Sequence, residues 1–173
     1  QGSSGTGSDE FFGASLAVGK MDGNVDTWDD LLVGAPYASS YAGKAYLFWG
    51  SGTMDVNPDL VWQGTSGFSD MCGSAVANID DLNHDGLNDF AIGIPQRNNG
   101  RGECYVILGK TPQDTTPDYV LRGDFDYGYF GSFIATVGDV NGDAYADLMI
   151  GAKNYNNGIG RVFLYATEFD TIY

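Results

Sequence analysis

The sequence predicts an all-β fold of three four-stranded antiparallel sheets, stacked as blades of a β-propeller. Three observations predict it. One segment recurs three times, its last aspartate falling at Asp30, Asp89 and Asp147, 59 and 58 residues apart. Each unit holds four short apolar runs rich in β-branched and aromatic residues and bounded by Gly, Asn, Asp or Pro, the pattern of short strands joined by turns. Glycine supplies 26 of the 173 residues, about twice its ordinary share, which favours tight turns over long helices. Four strands per repeat is the content of one propeller blade.

The runs follow one order in every unit. The first is Phe12-Gly13-Ala14-Ser15-Leu16-Ala17-Val18, then Cys72-Gly73-Ser74-Ala75-Val76-Ala77, then Phe130-Gly131-Ser132-Phe133-Ile134-Ala135. The second is Leu31-Leu32-Val33-Gly34-Ala35, Phe90-Ala91-Ile92-Gly93-Ile94 and Leu148-Met149-Ile150-Gly151-Ala152. Its consecutive apolar positions suit a strand buried on both faces. The third follows a glycine (Gly43, Gly102, Gly160), and the fourth is Leu60-Val61-Trp62, Tyr119-Val120-Leu121 and Thr171-Ile172-Tyr173. The blades are expected at 11–63, 71–122 and 129–173, one propeller segment over 1–173. Gln1-Gly2 repeats Gln63-Gly64 and Arg122-Gly123, so the chain is read as three whole blades without remainder.

Composition narrows the function classes. No apolar run approaches the roughly 18 residues of a membrane-spanning helix. The 14% aromatic content supplies a core and argues against disorder. Twenty-three acidic against 8 basic residues give a net charge of −15, the wrong sign for neutralising nucleic-acid phosphates. Gly-x-Ser-x-Gly, phosphate-loop and His-Glu-x-x-His motifs are absent from the sequence, so no enzyme activity is expected.

Between the first and second runs every unit carries D-x-N-x-D-x-x-x-D. The residues are Asp22, Asn24, Asp26 and Asp30; Asp81, Asn83, Asp85 and Asp89; Asp139, Asn141, Asp143 and Asp147. Calcium takes six to eight hard oxygens, and alternate residues of a tight loop can turn theirs toward one centre. The seventh position of each loop, Trp28, Leu87 or Tyr145, would add a backbone carbonyl. Turn-forming Asp and Asn alone do not account for one oxygen pattern recurring three times at fixed phase. An EF-hand needs Glu at position twelve and a following helix; the residues there are Val33, Ile92 and Ile150, and strands follow. Magnesium keeps several waters rather than a protein cage. Zinc prefers Cys or His, and His84 stands at an outward position. Three calcium ions would bring the net charge from −15 to −9.

Cys72 and Cys104 replace Phe and Ala or Val within one repeat. Paired substitution within a blade predicts contact and hence a disulfide, which implies an oxidising compartment. Arg122-Gly123-Asp124 at a blade junction is read as coincidence. Thr111-Pro112 and Thr115-Thr116-Pro117 lie in a polar loop that suits either O-glycans or a stiffened turn. The sequence contains no N-x-[ST] sequon.

Phe12-Gly13, Phe130-Gly131, Gly34-Ala35-Pro36 and the carboxylate loops together resemble the FG-GAP repeat of the integrin α-subunit propeller and its extracellular relatives. The resemblance covers nearly the whole chain. It implies a calcium loop joining the two inner strands of each blade, a cell-surface or secreted location, and a protein or glycan ligand. Cys72, Ile94 and Lys153 depart from the pattern. Thr27 and Ala144 stand where Gly86 keeps a glycine, so sites one and three are expected to be the more distorted. Integrin propellers have seven blades. Three blades leave two apolar faces uncovered, so further blades or copies of the chain are expected to pack there. Two functions follow as alternatives: a recognition module, or a subunit assembling head to tail into a ring, fibre or coat.

Overall fold

In a computed structural model the described residues are 10–22, 27–53, 56–65, 67–110 and 113–166. Asn24, Asp26, Gln1-Gly2, Thr111-Pro112 and the expected strand Thr171-Ile172-Tyr173 lie outside them.

The chain is all-β. The first sheet holds β1 (Ser15–Gly19), β2 (Asp30–Ala35), β3 (Lys44–Phe48) and β4 (Leu60–Gln63) in that spatial order. The second holds β5 (Ala75–Asn78), β6 (Phe90–Ile94), β7 (Glu103–Ile107) and β8 (Tyr119–Arg122). The third has three described strands, β9 (Phe130–Thr136), β10 (Leu148–Ala152) and β11 (Arg161–Tyr165). All pairings between these strands are antiparallel, and the register repeats: Leu16 opposes Val33, Val76 opposes Ile92, and Ile134 opposes Ile150. Consecutive strands pair throughout, so the described strands of each unit form a meander rather than a crossover.

Side-chain alternation gives each sheet two faces. In the second sheet one carries Val76, Ile92 and Ile107, and the other carries the smaller Ala77, Ala91 and Cys104. The face of blade two that carries Ala77, Ala91 and Cys104 packs on blade three, and the equivalent face of blade one packs on blade two. Ala17, Leu32, Leu47 and Trp62 meet Phe90 and Ile92 in one core, with Trp62 edge-on to Phe90 at 5.3 Å. Ala77, Ala91 and Val106 meet Phe130, Leu148 and Ile150 in another. A fully buried Phe such as Phe90 or Phe130 contributes about 1.5–3 kcal/mol.

Two glycines set the spacing of these interfaces. A Cβ on Gly34 would stand 2.1 Å from the Gly73 carbonyl oxygen, and one on Gly93 2.0 Å from that of Gly131. Gly34 and Gly93 are therefore the seats for Gly73 and Gly131 of the next blade.

The expected disulfide does not form: Cys72 and Cys104 are free, buried thiols. Cys72 belongs to the core between blades one and two, Cys104 to the core between blades two and three. The second sheet separates them. Burial pushes the Cys72 thiol up to about 12 and raises that of Cys104 further.

The β2–β3 turns are left-handed in all three blades. Ser39, Ser40 and Tyr41 have φ of 53°, 58° and 69°; Asn98 and Asn99 have 52° and 61°; Asn156 and Asn157 have 49° and 59°. These turns and the inter-blade connections lie at one end of the sheets. The carboxylate loops lie at the other.

Candidate metal centres

Loops two and three fold on one hydrogen-bond scheme. In loop two the Asp85 N–H donates to Asp81 Oδ1 (3.1 Å) and Asn83 Oδ1 (3.0 Å), and the Gly86 N–H to Asp81 Oδ2 (2.8 Å). Leu87 N–H donates to Asp85 Oδ1 at 2.9 Å, and Asn83 Nδ2 to Asp85 Oδ2 at 3.0 Å. Loop three repeats each bond. Asp143 N–H meets Asp139 Oδ1 (3.1 Å) and Asn141 Oδ1 (2.8 Å), Ala144 N–H meets Asp139 Oδ2 (2.9 Å), and Tyr145 N–H meets Asp143 Oδ1 (2.9 Å). The Asn141 amide reaches Asp143 Oδ2 at 2.7 Å. Short Asx side chains bonding to backbone a few residues on are what let so tight a loop form. The Ala144, Gly142 and Asp143 N–H groups hold the Asp139 carboxyl below its ordinary range, the Ala144 bond most.

The backbone pays for this wrap with left-handed residues. Asp80, His84 and Gly86 have φ of 59°, 59° and 92° in loop two; Gly138, Gly142 and Ala144 have 67°, 83° and 72° in loop three. Ala144 thus adopts the conformation that glycine takes at Gly86, as the sequence comparison of the loops anticipates.

The last aspartate of each loop behaves differently. Asp30, Asp89 and Asp147 are almost fully buried. Asp30 accepts from Met21 N–H (2.7 Å) and Gly50 N–H (2.9 Å). Asp89 accepts from Leu82 N–H (2.7 Å) and Gly109 N–H (2.8 Å). Asp147 accepts from Val140 N–H at 2.6 Å, while its Oδ1 is buried without a hydrogen bond. The position aligned with Gly50 and Gly109 is Thr167, which lies outside the described residues. Burial pushes the Asp89 carboxyl up to about 7, against its two N–H bonds, and Asp85 and Asp81 push it further the same way.

The structure therefore brings Asp81, Asn83 and Asp85 together, and Asp139, Asn141 and Asp143 likewise. Asp89 and Asp147 are anchored in the blade. In loop one Asp22 is half-buried and Trp28 exposed. Among the described residues no three His, Cys, Asp or Glu side chains converge closely enough to form a ready metal cage. The donor set nonetheless fits a hard cation, because it consists of oxygens alone and concentrates negative charge around Asp89. His84 is exposed and stacks on Tyr145.

Sequence reasoning missed two polar devices. Asp59 and Asp118 each accept from the residue after the third strand, Trp49 N–H and Leu108 N–H, both at 2.8 Å. The recurring Pro-Asp pairs Pro58-Asp59 and Pro117-Asp118 were the available signal. The second device is an ion network around Arg97, which ties Asp70 to Glu103 and has no counterpart in the other repeats among the described residues. The ends of Arg122-Gly123-Asp124 are engaged internally: Arg122 with Glu103 and Asp124 with Arg161.

No helix among the described residues is long and apolar enough to cross a membrane. Residues 73–107 and 130–165 match the FG-GAP repeat family. The chain is 33% identical to integrin alpha-4 of Xenopus laevis over 153 residues, covering 82% of the chain and 14% of that protein. It is 37% identical to human integrin alpha-IIb over 160 residues, covering 84% and 15% respectively. It is 32% identical to human integrin alpha-8 over 169 residues, covering 90% and 15%. The chain thus spans a small fraction of the length of these relatives. Their likeness assigns it to the outside of the cell or the cell surface. Repeating antiparallel sheets, the FG glycines seated on their neighbours and the matches over blades two and three make this chain a member of the FG-GAP repeat family of β-propeller proteins.

Proposed function

We propose that the chain is a non-enzymatic, calcium-binding propeller module for adhesion or recognition. The observation that carries the reading is the repeated scheme of loops two and three, which gathers the oxygens of Asp81, Asn83 and Asp85 and those of Asp139, Asn141 and Asp143 in the same way. The proposed ligand sets add Asp89 and Asp147 with the Leu87 and Tyr145 carbonyls, and Asp22, Asn24, Asp26, Trp28 and Asp30 in loop one. Bound calcium would supply charge neutralisation and rigidity rather than reaction chemistry. Because the ion binds the folded loops and not the unfolded chain, it raises stability by mass action. The likeness to integrin α subunits supports an adhesion role with a protein or glycan ligand.

Calorimetric titration of the chelator-stripped protein tests this. Three calcium sites and a melting temperature that rises with calcium are expected. A flat titration, with melting indifferent to chelator, overturns the reading.

A second reading concerns assembly. On blade three the face equivalent to that of Ala77, Ala91 and Cys104 leaves Phe133, Val162 and Leu164 exposed among the described residues, whereas on blade two that face is covered by blade three. A further blade, from the same parent protein or a second copy, is the cover that matches. Light scattering at micromolar concentration tests the copy version: a clean monomer removes it.

A further inference from the structure

At the end of the sheets opposite the carboxylate loops, a groove of about 870 Å³ runs between the two inter-blade connections. That volume lies within the usual range of small-ligand sites. Its floor is charged but balanced. Arg97 donates to Asp70 Oδ2 through Nε (3.0 Å) and Nη2 (2.8 Å), to Thr65 Oγ1 (3.0 Å), to Glu103 (3.3 Å) and to the Tyr105 hydroxyl. Glu103, buried, also accepts from Asn98 Nδ2 (2.8 Å) and Arg122 Nε (3.2 Å). Two guanidinium groups thus meet two carboxylates in a chain whose net charge is −15. A buried network of this kind adds little stability over apolar packing, but it presents fixed donors and acceptors that need no reorganisation on binding.

The rim is aromatic. Phe68 is 65% exposed on the first connection and Tyr127 is 55% exposed on the second. Both line the groove, and the Asn98 and Asn99 amides stand beside them on a left-handed turn. Arg122 uses Nε on Glu103 and remains largely exposed, so donors of its fork stay available to a ligand.

We propose that this groove binds a neutral oligosaccharide. A sugar offers hydroxyls that both donate and accept, matching a floor of mixed polarity. Its C–H face suits an exposed aromatic ring. A balanced floor gives no attraction to an anion, and the acidic chain repels sialylated or sulfated glycans. The proposal deepens the recognition reading and rests on it only for the extracellular setting in which glycans are met.

The test is an array of neutral oligosaccharides, with sialylated and sulfated counterparts, probed with the whole chain in calcium. Retention of a neutral subset is expected. Phe68→Ala and Tyr127→Ala should each weaken it at least tenfold without lowering the melting temperature. Phe133→Ala, which removes an exposed aromatic outside the groove, should leave it unchanged. Absence of neutral-glycan binding, preference for charged glycans, or alanine variants that bind like the parent overturns the proposal. So does a deglycosylated protein ligand whose capture is lost in Tyr127→Ala, which assigns the groove to a peptide. Calcium titration of the same sample separates the readings: three-site uptake with a blank array sinks the groove alone, and absent uptake sinks the calcium reading whatever the array shows.

Discussion

The imidazole of His84 lies flat on the ring of Tyr145, centroids 4.2 Å apart and planes 7° from parallel. This stack joins the carboxylate loop of blade two to that of blade three. Thr136 Oγ1 and Asp80 Oδ2, 3.4 Å apart, link the same two blades nearby. A stacked pair contributes about 0.5–1.5 kcal/mol beyond its buried area. A double-mutant cycle of His84→Ala and Tyr145→Ala should therefore show a coupling near ~1 kcal/mol in urea denaturation. The cycle cancels the backbone effect of replacing His84, whose φ is 59°. Strict additivity of the two substitutions would mean that the rings merely lie close.

Ala144 offers a stabilising substitution. Its φ of 72° is in the left-handed region, and the aligned Gly86 has 92°. Relieving that strain with Ala144→Gly should gain about 0.5–1 kcal/mol, raising the melting temperature by roughly 1–4 °C. Gly86→Ala should lose a similar amount, there being no atom within 4 Å of its Cβ site to complicate the comparison. Thermal melts of the two variants check the pair; equal and negligible shifts would show that the loop backbone relaxes freely.

The free thiols give a pH-linked prediction. With the folded Cys72 thiol raised to about 12 and Cys104 raised further, the native state holds these protons longer than the unfolded chain, whose thiols ionise near ~8.5. Stability from this source is complete below the unfolded value and declines as pH rises through the window up to the folded values. At neutral pH neither thiol should react with an aromatic disulfide reagent in native protein, and both should react in denaturant without reductant. No thiol released in denaturant would restore the disulfide.

The strands and loops were legible because their causes are local. The Asp and Asn spacing, the paired glycines and the short apolar runs each act within a dozen residues. Contacts closed by tertiary structure were not legible. Cys72 precedes β5, outside the alternation that assigns Cys104 to a face, so sequence distance could not place them on opposite sides of one sheet. Arg97 reaches back 27 residues to Asp70, and nothing in the repeat marks that partner. Asp89 reads as a metal ligand by spacing, yet its second hydrogen bond goes to Gly109, 20 residues on.

That double role of Asp89 separates two kinds of loop carboxylate. Asp89→Ala would strand the Leu82 and Gly109 N–H groups in the interior, each unsatisfied donor costing about 1–3 kcal/mol. The loss should appear with chelator as well as with calcium, since the clamp exists in both, and the calcium-induced rise should fall too, Asp89 being a proposed ligand. Asp85→Ala removes an exposed carboxylate whose bonds stay within the loop. It should leave chelator-treated protein within about 1 kcal/mol of the parent while cutting the calcium-induced rise in melting temperature. Melting curves of both variants with and without calcium decide the matter. If Asp85→Ala destabilises the chelated protein as much as Asp89→Ala does, the loop is held by its own carboxylates, and the metal is not what those side chains serve.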